Sequence, residues 1–396
     1  MIKPISITMY WLIFFSINGV LNLPIAMLLS FCTILRSDFL TQGPKVPIFE
    51  SELSEATNAK YVTAVNSATS ALHIACLALD LGSGDIAWTV PNTFVASANC
   101  ALYSGAEIDF VDIDPATSNM SIQALEAKLE FSKKKGKLPK VVIPVHLTGE
   151  PCDMKSIKVL SELYGFKIIE DASHAIGGKY DNTNIGSSLY SDITVFSFHP
   201  VKIVTSGEGG AALTNDKQLD QKMKLLRSHG ITRDKSLMEY PNDNGWYYEQ
   251  IDLGFNYRMT DIHAALGISQ MQRLKEYVIK RNEIADFYDR EFLSTSIPTP
   301  VRNPNNLSAA HLYVVQVDES LHGTIFRQLR ERKIGVNLHY IPIHTQPYYK
   351  KLGFNWGDYP NAESYYKRAI SLPIYPALEQ AKQDFVVEQL KLLCDD

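Results

Sequence analysis

The sequence predicts an α/β protein: a mostly parallel sheet covered by helices, followed by a smaller C-terminal α+β domain. Three observations carry this expectation. Apolar, β-rich runs alternate with helical patterns over most of the chain. Several of these runs are near-continuous Val and Ile, as strands buried on both faces should be. A polar, proline-broken stretch then precedes a second, shorter series of elements.

Seven candidate strands come in order: Tyr61–Val65, Ile86–Val90, Glu107–Asp112, Lys140–Val145, Lys167–Glu170, Asp192–Phe196 and Gly210–Thr214. Between them the periodicity predicts helices at Ser70–Leu79, Val95–Leu102, Ile122–Leu129 and Met154–Tyr164. No full helix fits between the last two strands, so one antiparallel member is expected there. Thr260–Lys275 reads as a long amphipathic helix, and Glu276–Phe292 continues helical. The stretch Ser294–Ala309, with Pro298, Pro300 and Pro304, marks a domain boundary. Beyond it, His311–Val317, Gly323–Lys333, Val336–Tyr340 and Glu379–Leu393 read strand, helix, strand, helix. At roughly 150 residues per domain, 396 residues suit one large and one small domain. Residues 36–293 form the large one and 294–396 the small one.

Residues 1–35 stand apart. From Pro4 to Leu35 there is no charged residue, and ~20 apolar residues suffice to span a bilayer. Three readings stand: a membrane anchor, a poorly ordered or mis-assigned start on a soluble enzyme, or a buried core helix. A signal peptide fits poorly, with one Lys before the apolar core and no small-residue cleavage site after it.

Composition excludes several function classes. Net charge is −5, from 38 basic and 43 acidic residues, without a basic block. Nucleic-acid binding needs clustered Lys and Arg, so no nucleic-acid partner is expected. The five cysteines (Cys32, Cys76, Cys100, Cys152, Cys394) form no CxxC pair and are odd in number. That excludes CxxC-based zinc sites and a dense disulfide framework, and suits a reducing cytoplasm. Cytoplasmic location is expected, with membrane association only through residues 4–35. No metal is expected.

The glycine motifs rule out two more classes. Gly82-Ser-Gly84 follows a helix and lacks a third Gly, and Gly207-Glu-Gly-Gly210 precedes a strand. Neither is a Rossmann fingerprint, and no Walker loop is present.

Three features carry the chemistry instead. The first strand ends in Asn66-Ser67-Ala68-Thr69 and leads into a helix. Small residues there leave backbone N–H groups free for an anion, the rival being an ordinary cap by Ser67 or Thr69. Asp171 ends a buried strand, where α/β sheets place ligands. A carboxylate there needs a partner, for which a protonated pyridine nitrogen is suited; the rival is a helix cap. Lys202 follows a strand ending in Ser197 and precedes a glycine-rich turn. A lysine in a partly desolvated pocket becomes a nucleophilic amine, the rival being a plain surface lysine. Asp171 and Lys202 suit two neighbouring elements of one sheet. An anion cup, Asp171 and Lys202 are together the parts that hold pyridoxal 5′-phosphate.

With these residues in place, the chain resembles the DegT/DnrJ/EryC1/StrS family of nucleotide-sugar aminotransferases, pyridoxal-phosphate enzymes of fold type I. The resemblance runs from Arg36 to near the C-terminus. It rests on Ser37-Asp-Phe-Leu-Thr-Gln-Gly-Pro44, Asn66-Ser-Ala-Thr-Ser-Ala-Leu-His73, Val90-Pro-Asn-Thr-Phe-Val-Ala-Ser97 and Glu170-Asp-Ala-Ser-His-Ala175. It continues through Ser197–Gly210, Leu226-Arg-Ser-His-Gly230, Leu253-Gly-Phe-Asn-Tyr-Arg-Met259 and His339-Tyr-Ile-Pro-Ile-His344. Within the family, the Ser197–Lys202 segment and its glycine turn are most similar to the pseudaminic acid branch. That branch moves the amino group of glutamate to C4 of a UDP-linked 4-keto-6-deoxy sugar.

The resemblance implies residue roles. Lys202 is the Schiff-base lysine and proton shuttle, and Asp171 pairs with the pyridine nitrogen. His174 lies near the cofactor's phenolic oxygen, and Phe94 stacks on the ring. Ser67, Ala68 and Ser197 meet the phosphate, joined by Asn256 from a second subunit of a homodimer. Asp38, Phe39, Leu40 and Thr41, with Asn337, Leu338, His339 and Tyr340, lie near the UDP-sugar, as do Ala68, Ser197 and Asn256. Trp246-Tyr247-Tyr248 are further aromatic candidates. Glutamate and 2-oxoglutarate are the expected donor pair. Two rival readings stay open: another nucleotide-sugar aminotransferase, and a non-catalytic membrane-tethered regulator on the same fold.

Overall fold

The computed structural model describes residues 32–242 and 244–395. All seven strands marked by the sequence join one sheet. They are β1 (Tyr61–Val65), β2 (Ile86–Thr89), β3 (Glu107–Phe110), β4 (Val141–Ile143), β5 (Lys167–Asp171), β6 (Ile193–Ser197) and β7 (Gly210–Thr214). Their order across the sheet is β1-β7-β6-β5-β4-β2-β3. The neighbours from β3 to β6 pair in parallel. Strand β7 is antiparallel to both β6 and β1, so the missing helix between β6 and β7 has its expected consequence.

Both faces of the sheet are covered. The large helices are α1 (Lys45–Thr57), α2 (Ala68–Ala78), α3 (Ala96–Tyr103), α4 (Ile122–Lys134), α5 (Met154–Tyr164), α6 (Lys217–Arg227), α7 (Asp261–Met271) and α8 (Leu274–Phe292). Successive strand residues point to opposite faces. Thus Ile169, Val141 and Ile143 pack with α2 and α3, whereas Ile168 and Val142 pack with α4 and α5. Phe196, Ala211 and Leu213 meet α1 and α7. Helix starts are chemically marked: Ser67, Ser121, Asp153, Asp216 and Thr260 each accept a backbone N–H as caps.

A third apolar core gathers residues from α8, β8 (Tyr313–Gln316), α9 (His322–Glu331), β9 (Ala369–Leu372) and α11 (Gln380–Asp395). Helix α10 (Pro360–Arg368) leads directly into β9.

The structure corrects several expectations. Val336–Tyr340 is not a strand; only Asn337 bridges, to Ser371. The partner of β8 is β9, which the sequence reading left out. Side chains take over the backbone of 336–340 in place of a ladder: Asn337 Oδ1 accepts from Leu338 N, and Tyr365 donates to the His339 carbonyl. Thr260–Phe292 breaks at Gln272 and Arg273 into α7 and α8. Helices α1, α6 and α10 also went unread. The apolar stretch expected at residues 4–35 lies, up to residue 31, outside the described residues. Among the described residues no helix is long and apolar enough to cross a membrane. All five cysteines are unbridged.

Candidate active site

The site starts at the carboxyl end of β5. Asp171 is its last residue, and β4's extension holds it from both sides: Asp171 N donates to Pro144 O, and His146 N donates to Asp171 O. The residue is 4 % exposed. Ser97 Oγ donates to Oδ2 at 2.7 Å and Ser173 N to Oδ1 at 3.1 Å. Both oxygens therefore act as acceptors, and their remaining lone pairs suit another donor.

Lys202 lies in the turn after β6, its N–H bonded to His199 O. It keeps some accessible surface yet is densely surrounded by protein, as the floor of a cleft would be. Its amine has no hydrogen-bond partner among the described residues. Burial pulls the ammonium pKa down and the Asp171 charge pulls it partly back, leaving it at about 8. The two groups thus share one electrostatic environment. The desolvated amine expected from the sequence is present.

Three imidazoles and a phenol complete this wall. His174 is buried, and its Nε2 lies 3.2 Å from Tyr340 Oη. The His311 ring is 4.5 Å from the His174 ring. Both rings carry an Nδ1 that is buried without a partner. Burial, then neighbouring positive charge, holds both pKa values well below the usual histidine range. His339 Nδ1 lies 2.8 Å from Ser371 Oγ. Burial and Lys202 lower its pKa to about 4. All three rings are therefore neutral at pH 7. Tyr340 is held above its ordinary pKa by burial and by Asp171.

The anion cup forms where three elements meet. Ser67 caps α2 with its hydroxyl, which accepts from Ser70 N at 3.1 Å. The cap reading therefore holds for the hydroxyl. The N–H groups of Ala68 and Thr69 remain without a protein acceptor among the described residues, which leaves them free for an anion. Gly210 stands opposite Ser197 in the β6–β7 ladder. A Cβ on Gly210 would lie 2.4 Å from Ala68 N, so only glycine lets the strand approach this helix terminus. Ser197 is buried, and its hydroxyl has no protein partner among the described residues.

Other expected residues lie around this group. Phe94 is 57 % exposed, its ring 6.2 Å from that of Tyr340. Asn256 is exposed beside this chain's own Asn66, whose amide reaches the Asn256 carbonyl at 3.5 Å. Asp38, Phe39, Leu40 and Thr41 are exposed and join the start of α7: Thr41 bridges Thr260, and Leu40 O accepts from Asp261 N. Fully buried Asp261 fixes the following turn by accepting from Gly43 N and Lys45 N. Asn337 and Leu338 flank the His339–Tyr340 pair. Trp246 and Tyr248 are exposed, and Tyr247 bonds Glu249, apart from this cluster. A cavity of about 390 Å³ around Glu150 and Arg302 contains none of these groups.

The sequence reading missed Thr93, Ser97, His311, Ser371 and Asp261. Thr93 and Ser97 had a signal: two hydroxyls four residues apart just after a buried strand. His311 had none, because its partner His174 is distant in sequence.

An enclosed free amine, a buried acceptor carboxylate and an open anion cup fit pyridoxal 5′-phosphate. The unpaired Ala68 and Thr69 N–H groups and the unused Ser197 hydroxyl suit its phosphate. The doubly held Asp171 suits a ring N–H, and the free Lys202 amine suits its aldehyde. Fold and site together define a pyridoxal-phosphate-dependent transaminase of fold type I.

The comparisons place it further. The DegT/DnrJ/EryC1/StrS aminotransferase family profile matches residues 27–391. The UDP-4-amino-4,6-dideoxy-N-acetyl-β-L-altrosamine transaminase of Campylobacter jejuni is 37% identical over 362 residues, covering 90% of this chain and 91% of that protein. The spore coat polysaccharide biosynthesis protein SpsC of Bacillus subtilis is 38% identical over 364 residues, covering 90% and 91%. A solved Helicobacter pylori aminotransferase involved in the biosynthesis of pseudoaminic acid superposes with a TM-score of 0.84 at 31% identity, covering 93% of this chain and 96% of that one. The chain belongs to the DegT/DnrJ/EryC1/StrS aminotransferase family. It is a sugar aminotransferase whose substrates are a nucleotide-sugar and an amino donor.

Proposed function

We propose that this enzyme is a UDP-4-amino-4,6-dideoxy-N-acetyl-β-L-altrosamine transaminase, moving the amino group of glutamate to C4 of a UDP-linked 4-keto-6-deoxy N-acetylated sugar. The observation that carries the reading is the free, enclosed Lys202 amine sharing its electrostatic environment with buried Asp171. The likeness to the Campylobacter and Helicobacter proteins supports the choice of sugar.

In this reading residues 36–293 hold the cofactor, and residues 294–396 contribute His311, His339 and Tyr340. Ala68, Thr69 and Ser197 bind the cofactor phosphate, with Ser67 holding the helix start in place. Phe94 covers the ring, and His174 stands by the phenolic oxygen, oriented by Tyr340. The bound cofactor supplies the electron sink that makes a carbon next to nitrogen acidic. Asp171 holds the ring nitrogen protonated. With the cofactor bound, the Lys202 amine would take the proton from the donor's α-carbon and later return one to C4 of the sugar. The neutral imidazoles leave Lys202 as the base. Asn256 reaches the phosphate of a second copy in a homodimer. Asp38, Phe39, Leu40 and Thr41, with Asn337, Leu338 and His339, bound the sugar nucleotide.

The test is direct. Purified protein supplied with cofactor should turn yellow, and borohydride should fix the cofactor on Lys202. It should then aminate a UDP-linked 4-keto sugar from glutamate. Sugars of both C5 configurations, offered side by side, decide the substrate: turnover of the other epimer alone overturns the altrosamine assignment. A colourless protein overturns the cofactor roles as well.

A further inference from the structure

Asp171 is held by more than its own strand. Ser97 lies in the first turn of α3 and is 1 % exposed. Its hydroxyl donates to Asp171 Oδ2 at 2.7 Å, across 74 residues of sequence. Thr93 Oγ1 lies 3.0 Å from Ser97 Oγ, and Thr93 is 3 % exposed. A hydroxyl has one proton to give. Ser97 spends it on Asp171, so the Thr93 hydroxyl must be the donor to Ser97. The direction is then fixed along the whole chain: Thr93 to Ser97 to Asp171. Each donor polarises the next, which strengthens the last bond.

The backbone holds this relay rigidly. Ser97 N bonds Phe94 O, and Cys100 Sγ bonds Ser97 O. Ser173 N occupies the other oxygen, Oδ1. The carboxylate therefore cannot rotate without breaking a bond at each end. Phe94, whose ring lies 6.2 Å from that of Tyr340, directly follows Thr93 in the chain.

We propose that Ser97, set by Thr93, is a positioning residue that fixes the Asp171 carboxylate and thereby sets how firmly the cofactor's ring nitrogen keeps its proton. This rests on the reading that Asp171 faces that nitrogen. A ring nitrogen held protonated places positive charge near the lysine–cofactor linkage and lowers the linkage's own proton affinity. Loosening Asp171 must raise it.

The experiment compares Ser97→Ala, Thr93→Val and Asp171→Asn in the full chain. The readouts are cofactor affinity of the apo-protein, by fluorescence quenching, and the pH at which the yellow cofactor-bound protein changes its absorbance. Loss of one hydrogen bond to a charged group should weaken cofactor binding about tenfold in Ser97→Ala. Its colour transition should move to higher pH. Thr93→Val should shift both in the same direction by less, since it only weakens the polarisation of Ser97. Ser97→Thr, which keeps the hydroxyl, should restore the transition. If Asp171→Asn shifts both readouts and Ser97→Ala shifts neither, the positioning role is overturned. If Asp171→Asn itself leaves both unchanged, the assignment of Asp171 falls, and this proposal with it. Thermal melts of the apo-proteins identify a variant that fails to fold. If Ser97→Ala unfolds, Thr93→Val decides, and an unmoved transition there overturns the relay.

Discussion

The acidity of Lys202 can be tested without substrate. Its pKa stands at about 8, lowered from the ordinary 10.5. Burial disfavours the charged form and outweighs the attraction of Asp171. Neutral amine is then available from about pH 7 upward. At pH 7 the free fraction should exceed that of a surface lysine by roughly 300-fold, at a factor of ten per pKa unit. The assay uses cofactor-free protein and brief exposure to an amine-reactive reagent across pH 6–11, read peptide by peptide by mass spectrometry. Lys202 should show its inflection near 8, with a lysine in a short unstructured peptide serving as the reference. Asp171→Asn removes the charge that raises the pKa, so the inflection should move to lower pH even though the cofactor is then held less well. An inflection coincident with that of the peptide lysine, or an upward move in Asp171→Asn, would refute the shared environment of the two groups.

Three further outcomes are expected. Lys202→Met should abolish transamination, yet raise the denaturant stability of the apo-protein at pH 7 by about 1–3 kcal/mol, because a desolvated charge is replaced by an apolar chain. Equal or lower apo stability would count against the desolvation. Gly210→Ala places a methyl against Ala68 N and should cost about 1–3 kcal/mol by overpacking, with cofactor affinity falling at least about tenfold as the anion cup is pushed open; equilibrium dialysis with the cofactor reads this. Asp261→Ala leaves the N–H groups of Gly43 and Lys45 without acceptors and should cost about 2–4 kcal/mol; trypsin should then cut at Arg36 or Lys45 earlier than in the parent.

The strands, the cap at Ser67 and the chemistry-bearing motifs were legible because each is local. A strand between two helical layers is buried at every position, as Val141–Ile143 and Ile193–Ser197 are. A serine before a helix must satisfy free N–H groups, as Ser67 does. Lys202 and Asp171 were visible because a charged residue just after such a strand needs a reason to be there. Their order along the chain, with the Asn66–Thr69 turn, sufficed to suggest the cofactor.

Convergence was not legible. Nothing local says that Ser97 ends on Asp171, that Tyr340 meets His174 across 166 residues, or that the His311 ring lies against His174. Nor does local pattern separate Val336–Tyr340 from a strand, because its backbone is satisfied by the distant Tyr365 and by a single bridge to Ser371. Sequence sets which groups are available and which face of an element each one takes. Folding decides which groups share one desolvated space, and only there does a lysine lose its proton near neutrality. Desolvation is a property of everything packed around a group, and no stretch of neighbours in the chain contains it.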